Sequence, residues 1–144
     1  MAKTLIAFFS RADENYFGGA MRYVKVGNTE IVVGLMKDLR SGARPELVSM
    51  PESIDEYDTV VLAYPNYWGT MPMAVYTFLE HFDFAGKTIL PLCTNEGSGM
   101  GSSEREIKKT CPGAAVKKGL SITGSAAARS KSSVERWLKA NGLM

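Results

Sequence analysis

The architecture of this chain can be read outward from residues 58–72, "DTVVLAYPNYWGTMP". The first half, "DTVVLAY", is a short apolar run, which is typical of a strand that is covered on both faces of a sheet. The second half places Tyr67 and Trp68 among Pro, Asn and Gly, which are residues of turns. Because a turn buries little side-chain area, these two rings are candidates for contact with a flat ligand.

Strands and helices alternate on either side of this stretch. Apolar runs predict further strands at 3–9 ("KTLIAFF"), 87–94 ("KTILPLCT") and, at an edge, 116–123 ("VKKGLSIT"). Apolar residues at helical spacing predict helices at 28–42, 71–82, from about 103 to 111, and from about 132 onward. Gly42 is the predicted stop of the first helix. Ser103 with Glu106, and Ser132 with Glu135, have the spacing of capping boxes.

This alternation indicates βαβ units, a parallel sheet and a three-layer, doubly wound α/β sandwich. The 144 residues suit one domain, 1–144, with one core. Residues 41–57 are too few for a full strand and crossover helix. We therefore expect a shortened region, in which 45–49 ("PELVS") is a candidate for a short edge strand followed by an irregular return, with thin cover on one sheet face. A second subunit of a homodimer is one way to cover that face.

Composition and charge exclude several classes of function. The chain has 17 Lys and Arg against 15 Asp and Glu, a net charge of +2 that is too mild to indicate nucleic acid or a membrane surface. No stretch approaches the roughly 18 to 20 apolar residues of a membrane helix. Cys93 and Cys111 match no metal or redox spacing. Cys93 falls within an apolar strand pattern, so we expect a buried thiol there, and two unclustered cysteines fit a protein of the reducing cytoplasm.

Three unusual loops each follow a predicted strand. They begin at "SRADEN…VGNTE", "YPNYWGTMP" and "TNEGSGMGSS". In open α/β sheets ligands bind beyond the carboxyl ends of the strands, so we expect the three loops to meet along one edge. This coincidence carries more weight than any one loop.

The first loop has the chemistry of a phosphate site. Ser10 ends the strand, and Gly27, Asn28 and Thr29 open a helix whose free N–H groups attract anions. The alternative is that Asn28 or Thr29 only caps that helix. Neither a Gly-Lys-Ser/Thr sequence nor a G-x-G-x-x-G fingerprint is present, so this is neither a P-loop nor a dinucleotide site.

The other two loops suit the two sides of a flat ring. Tyr67 and Trp68 can stack on a ring, which contributes about 0.5–1.5 kcal/mol beyond area burial. The alternative is that they pack on the neighbouring helix. The glycines of "TNEGSGMGSS" let backbone N–H groups approach the polar edge of a heteroaromatic ring. The alternative there is a flexible loop before a capped helix.

Through the motifs "FFS…GNTE", "YPNYWGTMP" and "CTNEGSG", the chain resembles the flavodoxin family. The resemblance covers most of the chain and implies a five-stranded parallel sheet of order 2-1-3-4-5, here with strand 2 and its helix short or missing. It also implies FMN as the cofactor. By position, it implies phosphate contacts from Ser10, Asn28 and Thr29, ring and ribityl contacts from Pro65, Asn66, Tyr67, Trp68 and Gly69, and contacts at the other ring edge from Thr94, Asn95, Glu96, Gly97, Ser98 and Gly99.

One departure from the family lies between Ser10 and the Gly-Asn-Thr sequence. Family members usually have about four residues there, whereas residues 11–26 intervene here. This insertion contains Tyr16 and Phe17, and we expect it to form a flap beside the flavin. The other departure is the short 41–57 segment.

Two functions from different classes follow from the resemblance. The first is an oxidoreductase that passes electrons from a reduced nicotinamide, or another donor, to a small quinone-like acceptor. The second is a non-catalytic electron carrier that docks on redox partner proteins. Carriers of this family are usually strongly acidic, so the slightly basic charge favours the reductase. The flavin would supply the chemistry, so we predict no catalytic protein residue and no metal.

Overall fold

Parallel strands and helices alternate along the chain, as the sequence predicts. The computed structural model describes residues 2–9, 41–47 and 49–144. Its elements are β1 (Thr4–Phe8), β2 (Thr59–Pro65), α1 (Met73–His81), β3 (Thr88–Asn95), α2 (Ser103–Thr110), β4 (Ala115–Val116), β5 (Leu120–Thr123), a 3-10 helix (Gly124–Arg129) and α3 (Lys131–Ala140). The predicted flap at 11–26, and the predicted helix at 28–42 apart from its last residues, lie outside the described residues. No described helix is long and apolar enough to cross a membrane.

The described strands form one parallel sheet. β1 pairs with β2 and β2 with β3, so that Ile6, Val61 and Leu90 lie in register across the sheet. β4 and β5 both pair with the far side of β3. This order matches the 1-3-4-5 part of the expected 2-1-3-4-5 sheet. No described residue forms a strand beside the free edge of β1, in keeping with a second strand that is short or missing.

The predicted edge strand at 116–123 is one strand with an interruption. Val116 pairs with Ile89 and Leu120 with Leu92, so three residues of the edge strand lie opposite two residues of β3. Pro91 lies at this break, where its missing N–H removes no bond to the edge strand. A side chain at Gly119 would lie 2.9 Å from the Pro91 carbonyl oxygen, so the close approach requires glycine.

The main core lies on one face of the sheet, beneath α1 and α2. Phe78 of α1 is at its centre, and its ring meets three other phenylalanine rings edge-on at 5.4 to 5.7 Å. Such pairs stabilise by about 0.5–1.5 kcal/mol beyond their buried area. The buried side chains of this cluster include Val60, Leu62, Tyr64, Val75, Phe78, Leu79, Ile89, Cys93 and Ile107.

The segment between Gly42 and Asp58 covers this core without a strand or helix among its described residues. Gly42 adopts φ +62° directly after helical Ser41, so the predicted helix stop is confirmed. The described residues 45–47 and 49 form no strand, so the candidate edge strand at 45–49 is not observed among them. Ile54, which is 1% exposed, packs into the core instead. Arg44 donates two bonds of 2.8 Å to the Glu80 carboxylate, which holds the segment on α1.

The two predicted capping boxes are wrong. α2 and α3 follow N-cap residues Ser102 and Ser130, and neither helix has a side-chain cap bond. Ser103 is fully buried, and its hydroxyl donates to the Met100 carbonyl oxygen at 2.6 Å. A buried hydroxyl takes the partner available in the interior, which a local sequence pattern does not reveal.

Candidate functional site

Two of the three predicted loops are described, and they meet at the carboxyl edge of the sheet. We call residues 67–70, after β2, the aromatic turn, and residues 95–102, after β3, the glycine loop. The Asn66 N–H donates to the Thr94 carbonyl oxygen at 2.7 Å, and the Ser102 N–H donates to the Gly69 carbonyl oxygen at 2.7 Å. The structure therefore brings the two loops into direct contact. Ser10, Asn28 and Thr29 of the predicted phosphate site lie outside the described residues.

The aromatic turn presents Trp68 to solvent. Tyr67 and Thr70 exchange two backbone bonds of 2.8 and 3.0 Å. Trp68 has φ +54° and Gly69 φ +80°, and positive φ at both central positions is the mark of a type I′ turn. A left-handed conformation costs a non-glycine residue about 1–2 kcal/mol. The Trp68 side chain is 51% exposed, so it does not repay this cost by entering the core.

The glycine loop is held by one side chain. The Asn95 Oδ1 accepts from the Gly97 N–H at 2.9 Å and from the Gly99 N–H at 3.0 Å. The Asn95 Nδ2 donates to the Ser121 hydroxyl at 2.8 Å and to the Ile122 carbonyl oxygen at 3.4 Å. The loop is thus bonded both to itself and to β5. This arrangement favours an ordered loop over the flexible one that the sequence also allowed.

Asn66 and Gly101 join the two loops. The Asn66 Oδ1 accepts from the Gly69 N–H at 3.0 Å, and the Asn66 Nδ2 donates to the Gly99 carbonyl oxygen at 2.9 Å. A Cβ at Gly101 would lie 2.1 Å from the Gly69 carbonyl oxygen, so only glycine permits the observed approach. Asn66 was predicted from the sequence. The role of Gly101 was missed, although its place in "GSGMGSS" was a signal.

The floor beneath the loops is buried and uncharged. The Tyr64 hydroxyl donates to the Ser103 hydroxyl at 2.8 Å, and burial raises the pKa of Tyr64 far above its ordinary value. Cys93 is fully buried, as predicted, and burial raises the pKa of its thiol to about 12. Both groups stay neutral near pH 7. The floor therefore offers structural support and no activated nucleophile.

The outer side of the loops offers neutral donors and open backbone. The Thr94 and Ser98 hydroxyls have no hydrogen-bond partner within the described part of the chain. Ideal Cβ atoms at Gly69, Gly97 and Gly99 would meet nothing within 4 Å. An exposed indole, hydroxyls without a partner among the described residues, and uncrowded glycines together fit a flat ring with a polar edge.

The remaining predicted site residues take different positions. Pro65 is the half-buried last residue of β2, and Tyr67 is half-buried beside Trp68. Glu96 is exposed and is the only charged residue of 65–72 and 94–102. Its carboxylate lies beside Gly124, at the start of the 3-10 helix. The described edge of the site is therefore almost without charge.

Together, the parallel sheet and its helices define a doubly wound α/β protein whose two joined loops lie at the carboxyl edge of the strands, where open α/β sheets bind ligands. Residues 32–141 match the flavodoxin family, and the chain belongs to that family. This membership supports FMN as the cofactor. Comparison with curated proteins gives no match.

Crystal structures of similar proteins agree with this assignment. A protein of Bacteroides uniformis, assigned as a flavoprotein, is 25% identical with a TM-score of 0.68, over 96% of this chain and 98% of that one. A second, from Bacteroides eggerthii, is 25% identical with a TM-score of 0.63, over 93% and 98% of the two chains. A flavoprotein of Lactobacillus acidophilus in complex with FMN shares the fold at 14% identity and a TM-score of 0.59, over 95% and 99%.

Proposed function

We propose that this protein is an FMN-dependent oxidoreductase that passes electrons from a reduced nicotinamide, or another donor, to a small quinone-like acceptor. The observation that carries the proposal is the exposed indole of Trp68 beside the uncrowded glycine loop. Bound FMN supplies the electron-transfer chemistry. The chain supplies the walls of the site, their orientation and a neutral floor. The Lactobacillus acidophilus flavoprotein, which shares this fold, holds FMN.

The proposed contacts divide between the two described loops and the first loop. Pro65 through Gly69 would line the ring and ribityl chain, with Trp68 stacked on the ring. The backbone of Thr94 through Gly99 would meet its polar edge, where the hydroxyls of Thr94 and Ser98, which have no partner among the described residues, are suitable donors. Ser10, Asn28 and Thr29, at the start of a helix in the sequence prediction, would hold the phosphate.

The charge of the site favours an enzyme over a carrier. A carrier docks on its partner proteins through complementary charge, which steers the encounter and fixes the orientation. The loops at 65–72 and 94–102 contain a single charged residue, Glu96, and the whole chain has a net charge of +2. Such an edge suits a small, uncharged acceptor that enters beside the flavin.

Steady-state kinetics test this proposal. The protein is loaded with FMN, and oxidation of NADH or NADPH is followed with and without a benzoquinone. We expect turnover that requires both FMN and the quinone. Stoichiometric FMN binding without turnover of NADH or NADPH, and without quinone reduction when dithionite replaces the nicotinamide as donor, would refute the reductase and support the carrier. A failure to bind FMN would refute both.

Location and assembly belong to the same proposal. Cys93 and Cys111 are buried free thiols, which is compatible with the reducing cytoplasm that we propose as the location. We also propose a homodimer, on the basis of the shortened region at residues 41–57, which follows the helix predicted at 28–42. Light scattering of the purified protein tests the dimer, and a mass near 15.7 kDa would refute it.

A further inference from the structure

The peptide groups of Gly99 are held from two sides by two asparagines. The Asn95 Oδ1 accepts from the Gly99 N–H at 3.0 Å, and the Asn66 Nδ2 donates to the Gly99 carbonyl oxygen at 2.9 Å. Asn66 follows β2 and Asn95 ends β3, so the two bonds come from neighbouring strands. Gly99 is therefore the point at which both strand ends act on the glycine loop.

The Asn95 amide has no capacity left for a ligand. Its oxygen accepts two N–H bonds, from Gly97 and Gly99, and its nitrogen donates two, to Ser121 and Ile122. An asparagine side chain has two acceptor sites and two donor hydrogens, and all four are in use. Asn95 is also only 9% exposed. Its amide shapes the loop and does not touch what binds there.

Asn66 acts on both loops at once. Besides its bond to Gly99, its Oδ1 accepts from the Gly69 N–H at 3.0 Å, within the aromatic turn that carries Trp68. One side chain thus spans from the turn to the glycine loop. Because Asn95 holds the other side of Gly99, both asparagines act on the separation between Trp68 and the glycine loop at Gly99, while Ser102 joins the far end of the loop to the Gly69 carbonyl oxygen.

We propose that Asn66 and Asn95 are positioning residues that form a single clamp on Gly99, and that this clamp sets the width of the slot for the flavin ring before the cofactor arrives. The predicted effect of the clamp on FMN affinity rests on the proposed function. The clamp itself concerns the protein without cofactor. Ordering the loops in advance removes their ordering cost from the binding step, so FMN affinity depends on the clamp.

A single clamp makes a specific prediction about coupling. Loss of Asn66 leaves the Gly99 carbonyl oxygen with only the weak bond from the Cys93 Sγ at 3.7 Å, and loss of Asn95 leaves the Gly99 N–H without its acceptor. In either variant the remaining asparagine can no longer fix the slot. The second substitution then has little left to remove, and the two effects do not add. Two independent asparagines would instead give effects on affinity that multiply.

The test uses the FMN-free protein and the FMN-bound protein with the variants Asn66→Ala, Asn95→Ala and both together. Hydrogen exchange by NMR follows the Gly97 and Gly99 amides of the FMN-free protein, and titration gives the Kd for FMN. Asn141→Ala is the matched control, because Asn141 also donates a side-chain bond of 2.8 Å, to the Trp137 carbonyl oxygen at the end of α3. It should leave both readouts unchanged.

We expect Asn66→Ala to speed exchange of the Gly99 amide by about tenfold or more, although Asn66 does not bond that N–H. Each single variant should raise the Kd for FMN by about tenfold. The Kd of the double variant should be no more than about threefold above that of the single variant that binds FMN less tightly. Unchanged Gly99 exchange in Asn66→Ala, or a double variant weakened by about a hundredfold, would overturn the clamp.

Two safeguards keep the outcomes distinct. The Gly99 exchange rate of Asn66→Ala decides the first outcome by itself, so the clamp stays testable if Asn95→Ala fails to fold. Exchange in the FMN-free protein is measured without reference to cofactor. If wild type binds no FMN but Asn66→Ala still exposes the Gly99 amide, the clamp stands and the proposed function fails.

Discussion

The Gly69 carbonyl oxygen and Gly101 lie so close that a methyl group at residue 101 would come within 2.1 Å of that oxygen. The same carbonyl accepts the Ser102 N–H at 2.7 Å and the Ser102 hydroxyl at 3.1 Å. Gly101 and the two donors of Ser102, its N–H and its hydroxyl, therefore hold the aromatic turn in place. The position of Trp68 depends on residues more than thirty positions away in sequence.

Gly101→Ala should destabilise the protein and weaken FMN binding. The residue has φ +55°, which costs alanine about 1–2 kcal/mol, and the contact with Gly69 adds about 1–3 kcal/mol of overpacking. Urea denaturation measures the loss. Gly142→Ala is the control, because Gly142 has φ +75° and open space around it. If both variants lose the same free energy of unfolding, the contact with Gly69 contributes nothing.

Trp68→Asn should leave stability unchanged or raise it by up to about 1 kcal/mol, while it weakens FMN binding. Asparagine tolerates the left-handed conformation that Trp68 holds at φ +54°, and Asn-Gly is the preferred pair of a type I′ turn. Thermal unfolding of the FMN-free protein gives the stability. A marked loss of stability would show that the indole supports the fold and is not held for a ligand.

Ser103→Ala should cost more free energy of unfolding than Tyr64→Phe. The first variant leaves the Tyr64 hydroxyl buried without its partner, a penalty of about 1–3 kcal/mol. The second leaves Ser103 with its bond to the Met100 carbonyl oxygen and should cost about 1 kcal/mol. Urea denaturation of both variants decides the order. If Tyr64→Phe lost more free energy of unfolding than Ser103→Ala, the Tyr64 hydroxyl would not depend on Ser103 as its buried partner.

Stability should fall at alkaline pH because two thiols are buried. The pKa of Cys93 is raised to about 12 and that of Cys111 to about 11, whereas an unfolded thiol ionises near about 8.5. The unfolded chain therefore loses these protons first as pH rises. Stability is fully present below about 8.5, and each thiol removes about 1.4 kcal/mol per pH unit above it, up to its folded pKa.

Cys93→Ala isolates the contribution of one thiol. Denaturation of wild type and variant at pH 7.5, 9 and 10 should give curves whose difference changes by about 1.4 kcal/mol per pH unit above about 8.5. A constant difference between the two proteins over this range would mean that Cys93 ionises as easily in the folded protein as in the unfolded chain.

The architecture followed from the sequence because its signals are local. The central strands β2 and β3 are continuous apolar runs, and each of the described α-helices was placed within a few residues of its observed bounds, whereas the 3-10 helix at Gly124–Arg129 was not predicted. Even Pro91, which is unusual in a central strand, lies where the adjacent edge strand breaks. The segment after Gly42 was harder to predict, because Ile54 enters the core from an irregular backbone that has no periodicity to read.

The sequence predicted the candidate site only in outline. Exposed turn aromatics and repeated glycines predicted which loops would meet, and the described loops do meet. The work of individual side chains depends on partners distant in sequence, such as the bond from Asn66 to Gly99, 33 residues away. Ser103 shows the same limit, since its spacing to Glu106 is that of a cap while its hydroxyl faces Tyr64 in the interior.

The most direct test of the account is a fluorescence titration of FMN into wild type, Trp68→Asn and Trp137→Phe. Trp137 is the other tryptophan; it lies in α3, and its indole donates to the Lys118 carbonyl oxygen. We expect one FMN per chain, a loss of affinity of about tenfold in Trp68→Asn, and wild-type affinity in Trp137→Phe. Equal affinity in wild type and Trp68→Asn, or no binding to wild type, would contradict this expectation.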